Sequence, residues 1–261
     1  MANQKPEVTK PYLKGALLDE RSLPASLRFF GLEVAMTVAF LLLGALGLSD
    51  LMVLRIIINA GVLTLVYVLF YNGGLGRGTV DVALGETLYV REQNGSMIDA
   101  AERKRAFHIG KGWLIGLLGS LPLLLCAIVL ALTAEKQMSG LGVLPSWVTG
   151  LMTRSEVSDA LGYMQASSPM TLPIFVRMIV RMAIMPYISM VGLEASDTLL
   201  LLERISPLLV LLPAFLWGLG YIRGRNVRAM VHTSIAKNNR KRARREKKQR
   251  EARRSDRQML N

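Results

Sequence analysis

The sequence predicts an all-α fold, a polytopic integral membrane helical bundle with a basic cytosolic tail, on three observations. Apolar runs of about twenty residues recur along the body, the length a helix needs to cross a bilayer core of about 30 Å. Half of the 261 residues are apolar (51%), without the alternating ten-residue pattern of a membrane barrel. Charge is segregated: residues 223–261 hold 15 Lys/Arg and 3 acids, net +12, so the other 222 residues hold 17 and 16, net +1. In lipid, backbone polar groups must bond within their own segment, so the long apolar runs mean helices.

The first 28 residues are polar and form a cytosolic N-terminal segment, too long for the charged region of an ordinary signal peptide. Transmembrane sequence is expected over 29–134. Its first span is Phe29–Leu48, and Ser49–Asp50 then turns the chain into a second span, Leu51–Tyr71. So short a connection forces an antiparallel hairpin. Residues 72–111 form a cytosolic loop, opening with the glycine-rich Gly73-Gly74-Leu75-Gly76-Arg77-Gly78 as a flexible exit from the second span. Asn94-Gly95 marks a turn, and Ser96 with Asp99 resembles a capping box for a helix from Met97 toward the third span, Gly112–Ala134.

Residues 135–197 read as an outward-facing segment with interfacial or re-entrant helices, one of them at Trp147–Tyr163. Within it, 171–193 is apolar but carries Arg177 and Arg181. Ten Leu, Ile, Phe and Val contribute about −3 to −6 kcal/mol to insertion, and two central arginines cost about 5 to 7, so the segment is poised near zero. The last span is 198–222, interrupted by Glu203, Arg204, Pro207 and Pro213.

Cytosolic loops are enriched in Lys and Arg. Residues 1–28 hold 5, residues 72–111 hold 6 and the tail holds 15, whereas 135–170 holds 2. The three rich segments share one side only if four segments cross and 171–193 does not, which puts both termini in the cytosol. Phe29, Phe30, Phe70, Tyr71, Trp113, Trp217 and Tyr221 then all fall at the inner interface, as aromatic anchors do. Five spans with the N-terminus outside is the alternative.

The tail, 223–261, carries the candidate polyanion-binding residues Lys237, Arg240, Lys241, Arg242, Arg244, Arg245, Lys247, Lys248, Arg250, Arg253 and Arg254. Its composition favours helix, Glu246 and Arg250 form a favourable i,i+4 pair, and the alanines make no apolar stripe. Such a helix attracts anionic phospholipid headgroups or the phosphates of ribosomal RNA, or serves as an anchor holding the terminus inside.

A second set of candidates comprises the intramembrane or interfacial charges Arg177, Arg181, Glu203 and Arg204, because ionisable groups in spans mark function. In a straight hairpin of 171–193 on 198–222, Arg181 would lie about 10 Å from Glu203 along the axis, an uncomfortable reach. Arg55 is expected to snorkel outward and Glu33 to sit near the interface, one turn inside the first span.

Catalytic chemistry has little to draw on. The two histidines, His108 and His232, lie in basic, membrane-proximal sequence, and the single cysteine, Cys126, reads as a packing residue. No nucleophile, base and orienter assemble, and no metal or cofactor motif is present. The expectation is a non-enzymatic adaptor or accessory subunit of a bacterial plasma membrane, without cofactor, whose tail binds anionic lipid or ribosomal RNA and whose bundle contacts the bilayer and other membrane subunits. The alternative is a transporter or channel component using Arg177, Arg181 and Glu203.

Overall fold

A computed structural model describes residues 10–45, 52–134, 172–192 and 195–259, the last segment with side chains to residue 248. These residues form helices α1 (Ser22–Ala45), α2 (Met52–Gln93), α3 (Ala100–Lys104), α4 (Lys111–Thr133), α5 (Leu172–Ala183), α6 (Met185–Val191) and α7 (Ser196–Met259), with no strand among them. The expected turn at Ser49–Asp50 and the helix at Trp147–Tyr163 lie outside the described residues, as do the side chains of Arg250, Arg253 and Arg254.

Four stretches are long and apolar enough to cross a membrane: Ser22–Leu43, Met52–Gln93, Lys111–Thr133 and Asp197–Lys248. Each leaves large apolar side chains exposed, among them Leu42, Leu65, Leu132 and Leu208. Such faces suit lipid and would be a liability in water. Together α5 and α6 have the composition of a fifth span, but they are bent by 82° at the break between them. Pro186 stands in the first turn of α6, where its missing N–H costs nothing, and it cannot continue α5.

Three boundaries differ from those the sequence suggests. Helix α1 begins at Ser22 rather than Phe29. Ser22 and Ser26 are buried, and the Ser26 hydroxyl donates to the Leu23 carbonyl at 2.8 Å, so these polar residues face the interior without breaking the helix. Helix α2 does not end at Tyr71; it continues through the glycine-rich stretch to Gln93. The helix ends in a Schellman turn, with Ser96 N–H donating to the Arg91 carbonyl (3.0 Å), Gly95 N–H to Glu92 (3.1 Å) and Gly95 at φ 77°. Ser96 is therefore spent closing α2, and Asp99 alone caps α3, accepting from Ala101 N–H at 3.2 Å. Helix α3 stops at Lys104 rather than running into α4.

The chain divides into two compact units. The first comprises the described residues of Met1–Glu20, Asn72–Gly112 and Leu219–Asn261. Its core is Val82, Phe107 and Tyr221, with Tyr12 against it. Phe107 stacks on Tyr221 with ring centroids 5.1 Å apart and planes 8° apart. Residues from the N-terminal segment are tied in by backbone bonds: Leu13 N–H to Gly85, Gly15 N–H to Phe107 and Ala16 N–H to Lys104, at 3.0–3.2 Å. The glycines that read as a loop pack helix against helix. A Cβ on Gly224 would lie 2.6 Å from the Gly78 carbonyl carbon, and one on Gly78 would overlap the Tyr221 backbone. Only glycine allows backbones this close.

The second unit comprises the described residues of Arg21–Tyr71 and Trp113–Gly218. One core cluster joins Ala127 and Leu130 of α4 to Val180, Ile184 and Ile188 and to Leu199 and Val210 of α7, with Cys126 packed against it. Another joins Phe29 and Phe40 of α1 to Val66, Phe70 and Ala214. In lipid the gain comes from close packing rather than escape from water, so small residues matter. Gly116 packs on Ala214, and Gly119 faces Ser26 and Phe29. Pro207 deprives the Glu203 carbonyl of its helical donor; the Ser206 hydroxyl takes that place, donating to it at 2.7 Å.

Candidate functional site

In the second unit the sequence's candidate charges converge. Arg177 and Arg181 are one helical turn apart on α5, so both face the same neighbour. Arg177 donates through Nε to Glu203 Oε1 (2.7 Å) and through Nη2 to Oε2 (2.5 Å), a bidentate fork. Arg181 donates to Oε1 as well, through Nε at 2.7 Å, with Nη2 at 2.6 Å. The Glu203 side chain is 1% exposed, those of the arginines 10% and 17%. The straight-hairpin estimate of a strained reach is thus wrong. Arg204, one position along α7, is exposed. Arg55 lies against Gly192 at the C-terminal end of α6, where a Cβ on the glycine would come within 3.2 Å of Arg55 Nη2.

Glu33 is more enclosed than its place in the sequence suggests. With α1 starting at Ser22, Glu33 falls eleven residues into the 22-residue stretch Ser22–Leu43, about 16 Å from its start. It is 5% exposed, and neither carboxylate oxygen has a hydrogen-bond partner among the described residues. Glu33 lines a cavity of about 40 Å³ together with Thr37, Phe40, Tyr67, Phe70 and Tyr187. The Tyr67 and Tyr187 hydroxyls are hydrogen-bonded to each other.

The first unit holds a separate buried network. Lys111, with its side chain fully buried, pairs with Asp19 (3.0 Å) and Asp81 (3.3 Å) and donates to the Arg105 carbonyl (3.0 Å). Asp81 also receives the Tyr221 hydroxyl at 2.8 Å and Arg77 at 3.3 Å. Glu86 accepts from Arg228 at 3.0 Å and contacts His232 Nε2 at 2.7 Å. This accounts for His232, while the His108 ring accepts the Gly110 N–H at 3.2 Å. Among the described residues no three His, Cys, Asp or Glu side chains converge as a metal site requires.

The aromatic anchors expected at an interface are partly core. Phe29, Phe70 and Tyr221 are at most 1% exposed, and Phe29 packs edge-on against Trp217 at 5.4 Å. In the tail, every residue from Lys237 to Lys248 is exposed and helical, including Arg240, Lys241, Arg242, Arg244, Arg245 and Lys247. No protein-family model matches the chain, and no curated protein or solved structure matches it either.

Proposed function

We propose that the chain is a non-enzymatic adaptor or accessory subunit of a bacterial plasma membrane, spanning it four times with both termini in the cytosol. Its cationic tail holds a polyanion, either anionic phospholipid or ribosomal RNA, at the membrane surface. The observation that carries this reading is the exposed helix Lys237–Lys248, which holds Lys237, Arg240, Lys241, Arg242, Arg244, Arg245, Lys247 and Lys248 and a single acid, Glu246. At 100° per residue these cations occupy one broad side of the helix and Asn239, Ala243 and Glu246 the other, so no apolar face competes for burial. Neutralising phosphates releases counterions, and each Lys or Arg near an anionic surface adds about 1 kcal/mol. The transport alternative relies on Arg177, Arg181 and Glu203, whose charged atoms are engaged with one another. That favours a structural role for them.

The test uses the full chain in neutral phosphatidylcholine nanodiscs, offered either vesicles rich in phosphatidylglycerol or purified ribosomes. One of the two binds at low salt, with affinity falling steeply as salt rises, and deletion of 237–261 abolishes the association while the bundle stays inserted. The partner that binds names the polyanion. Association that survives the deletion refutes the proposal.

A further inference from the structure

We propose that Glu33 is a proton-binding site inside the bundle, taking up and releasing a proton through the cavity it shares with Tyr67 and Tyr187. Glu33 lies at the midpoint of the Ser22–Leu43 stretch, among cavity neighbours such as Leu123 of α4 and Leu209 of α7. Its two oxygens are buried without a hydrogen-bond donor among the described residues. Among the described residues an ionised carboxylate in that position has no cation or hydrogen-bond donor to replace its hydration, so this arrangement favours the neutral acid. The groups facing the cavity are consistent with that. Helix α2 contributes the phenol of Tyr67 and α6 that of Tyr187, while Leu123 of α4 and Leu209, Val210 and Pro213 of α7 carry no titratable group.

A sealed apolar pocket would trap the proton permanently, but this one has polar groups to receive water. About 40 Å³ exceeds the roughly 10–15 Å³ one water needs. The Glu33 carboxyl, the paired tyrosine hydroxyls and Thr37 supply hydrogen-bonding partners around it. When water enters, the acid gives its proton to it and the carboxylate accepts hydrogen bonds in return; when a hydrated proton enters, the reverse step restores the acid. The contrast with Glu203 is chemical. Glu203 is held ionised by two guanidinium groups, whereas no described residue pairs with the Glu33 carboxyl, so its charge can follow the water that reaches it. Intramembrane carboxyl groups of this kind mark proton or ion pathways.

The experiment uses the full chain in phosphatidylcholine vesicles treated with the lipid-soluble reagent dicyclohexylcarbodiimide over a range of pH, with the modified residue located by mass spectrometry. Only the protonated carboxyl reacts: its oxygen bonds to the central carbon, its proton passes to a nitrogen, and rearrangement leaves a stable N-acylurea. The expected result is labelling of Glu33 that falls roughly tenfold per pH unit above its midpoint, because the neutral fraction does. E33Q, which keeps the shape of the neutral acid, should be unlabelled at this peptide. An unlabelled Glu33 at every pH would overturn the proposal. Labelling that does not change with pH would overturn it too, since the proton would then be a fixed part of the core.

Discussion

Arg181 Nε donates to Glu203 Oε1 at 2.7 Å, on the same oxygen that receives Arg177 Nε. One carboxylate therefore holds two cations, and the cluster is asymmetric with respect to loss. E203Q strips both arginines of their partner and is expected to cost about 3–5 kcal/mol, the usual penalty for orphaning buried charge. R181Q leaves the Arg177–Glu203 fork intact and should cost only about 1–2 kcal/mol. Thermal unfolding of both variants in the same detergent checks the order; equal losses would mean that Arg177 and Arg181 do not depend on a common partner.

Two glycines, Gly76 of α2 and Gly224 of α7, should respond in opposite ways to alanine. A Cβ on Gly76 meets nothing within 4 Å, so Gly76→Ala is expected to stabilise by about 0.5–1 kcal/mol through helix propensity. Gly224→Ala would press a methyl onto the Gly78 and Thr79 backbone and is expected to destabilise by about 1–3 kcal/mol, since no flexible side chain can yield. Chemical denaturation of the two variants side by side measures the sign.

Lys111→Met keeps the length of the stem and removes the charge that Asp19 and Asp81 share. The expected loss is about 3–5 kcal/mol. Hydrogen exchange resolved by peptide should show it first in residues 10–20 and 72–112. Lys111→Arg is not expected to rescue, because a fully buried ammonium site has no room for a planar fork.

Membrane orientation is accessible to single cysteines in intact cells after Cys126→Ser. The four-span plan expects external labelling at Ser158 and Ser196 and none at Ser96 or Ser255. Labelling at Ser96 and Ser196 alone would instead mean five spans with the N-terminus outside.

Hydropathy and length are enough to read four long apolar helices, and two arginines mark 171–193 as exceptional. What escaped depends on faces and distant partners. Ser22 and Ser26 look like the polar run before a span, because hydropathy averages over the helix circumference while burial selects one side. The same averaging conceals that Glu33 is buried. Gly78 reads as flexible until Gly224 faces it, and no local pattern links residues so far apart. Arg181 and Glu203 are recognisable as candidates in the sequence, but a straight hairpin sets them too far apart, and α5 and α6 bend instead. Lys111 gave no sign at all: its partners Asp19 and Asp81 lie on different elements, and a lysine before a span is ordinary.

Ser206 carries an obligation inherited from its neighbour. Because Pro207 offers no N–H, the Glu203 carbonyl takes its hydrogen bond from the residue 206 hydroxyl, one turn below the carboxylate that gathers both arginines. Sequence drift at the two positions should therefore be linked: alanine becomes acceptable at 206 once 207 is no longer proline, and serine or threonine is required while it is.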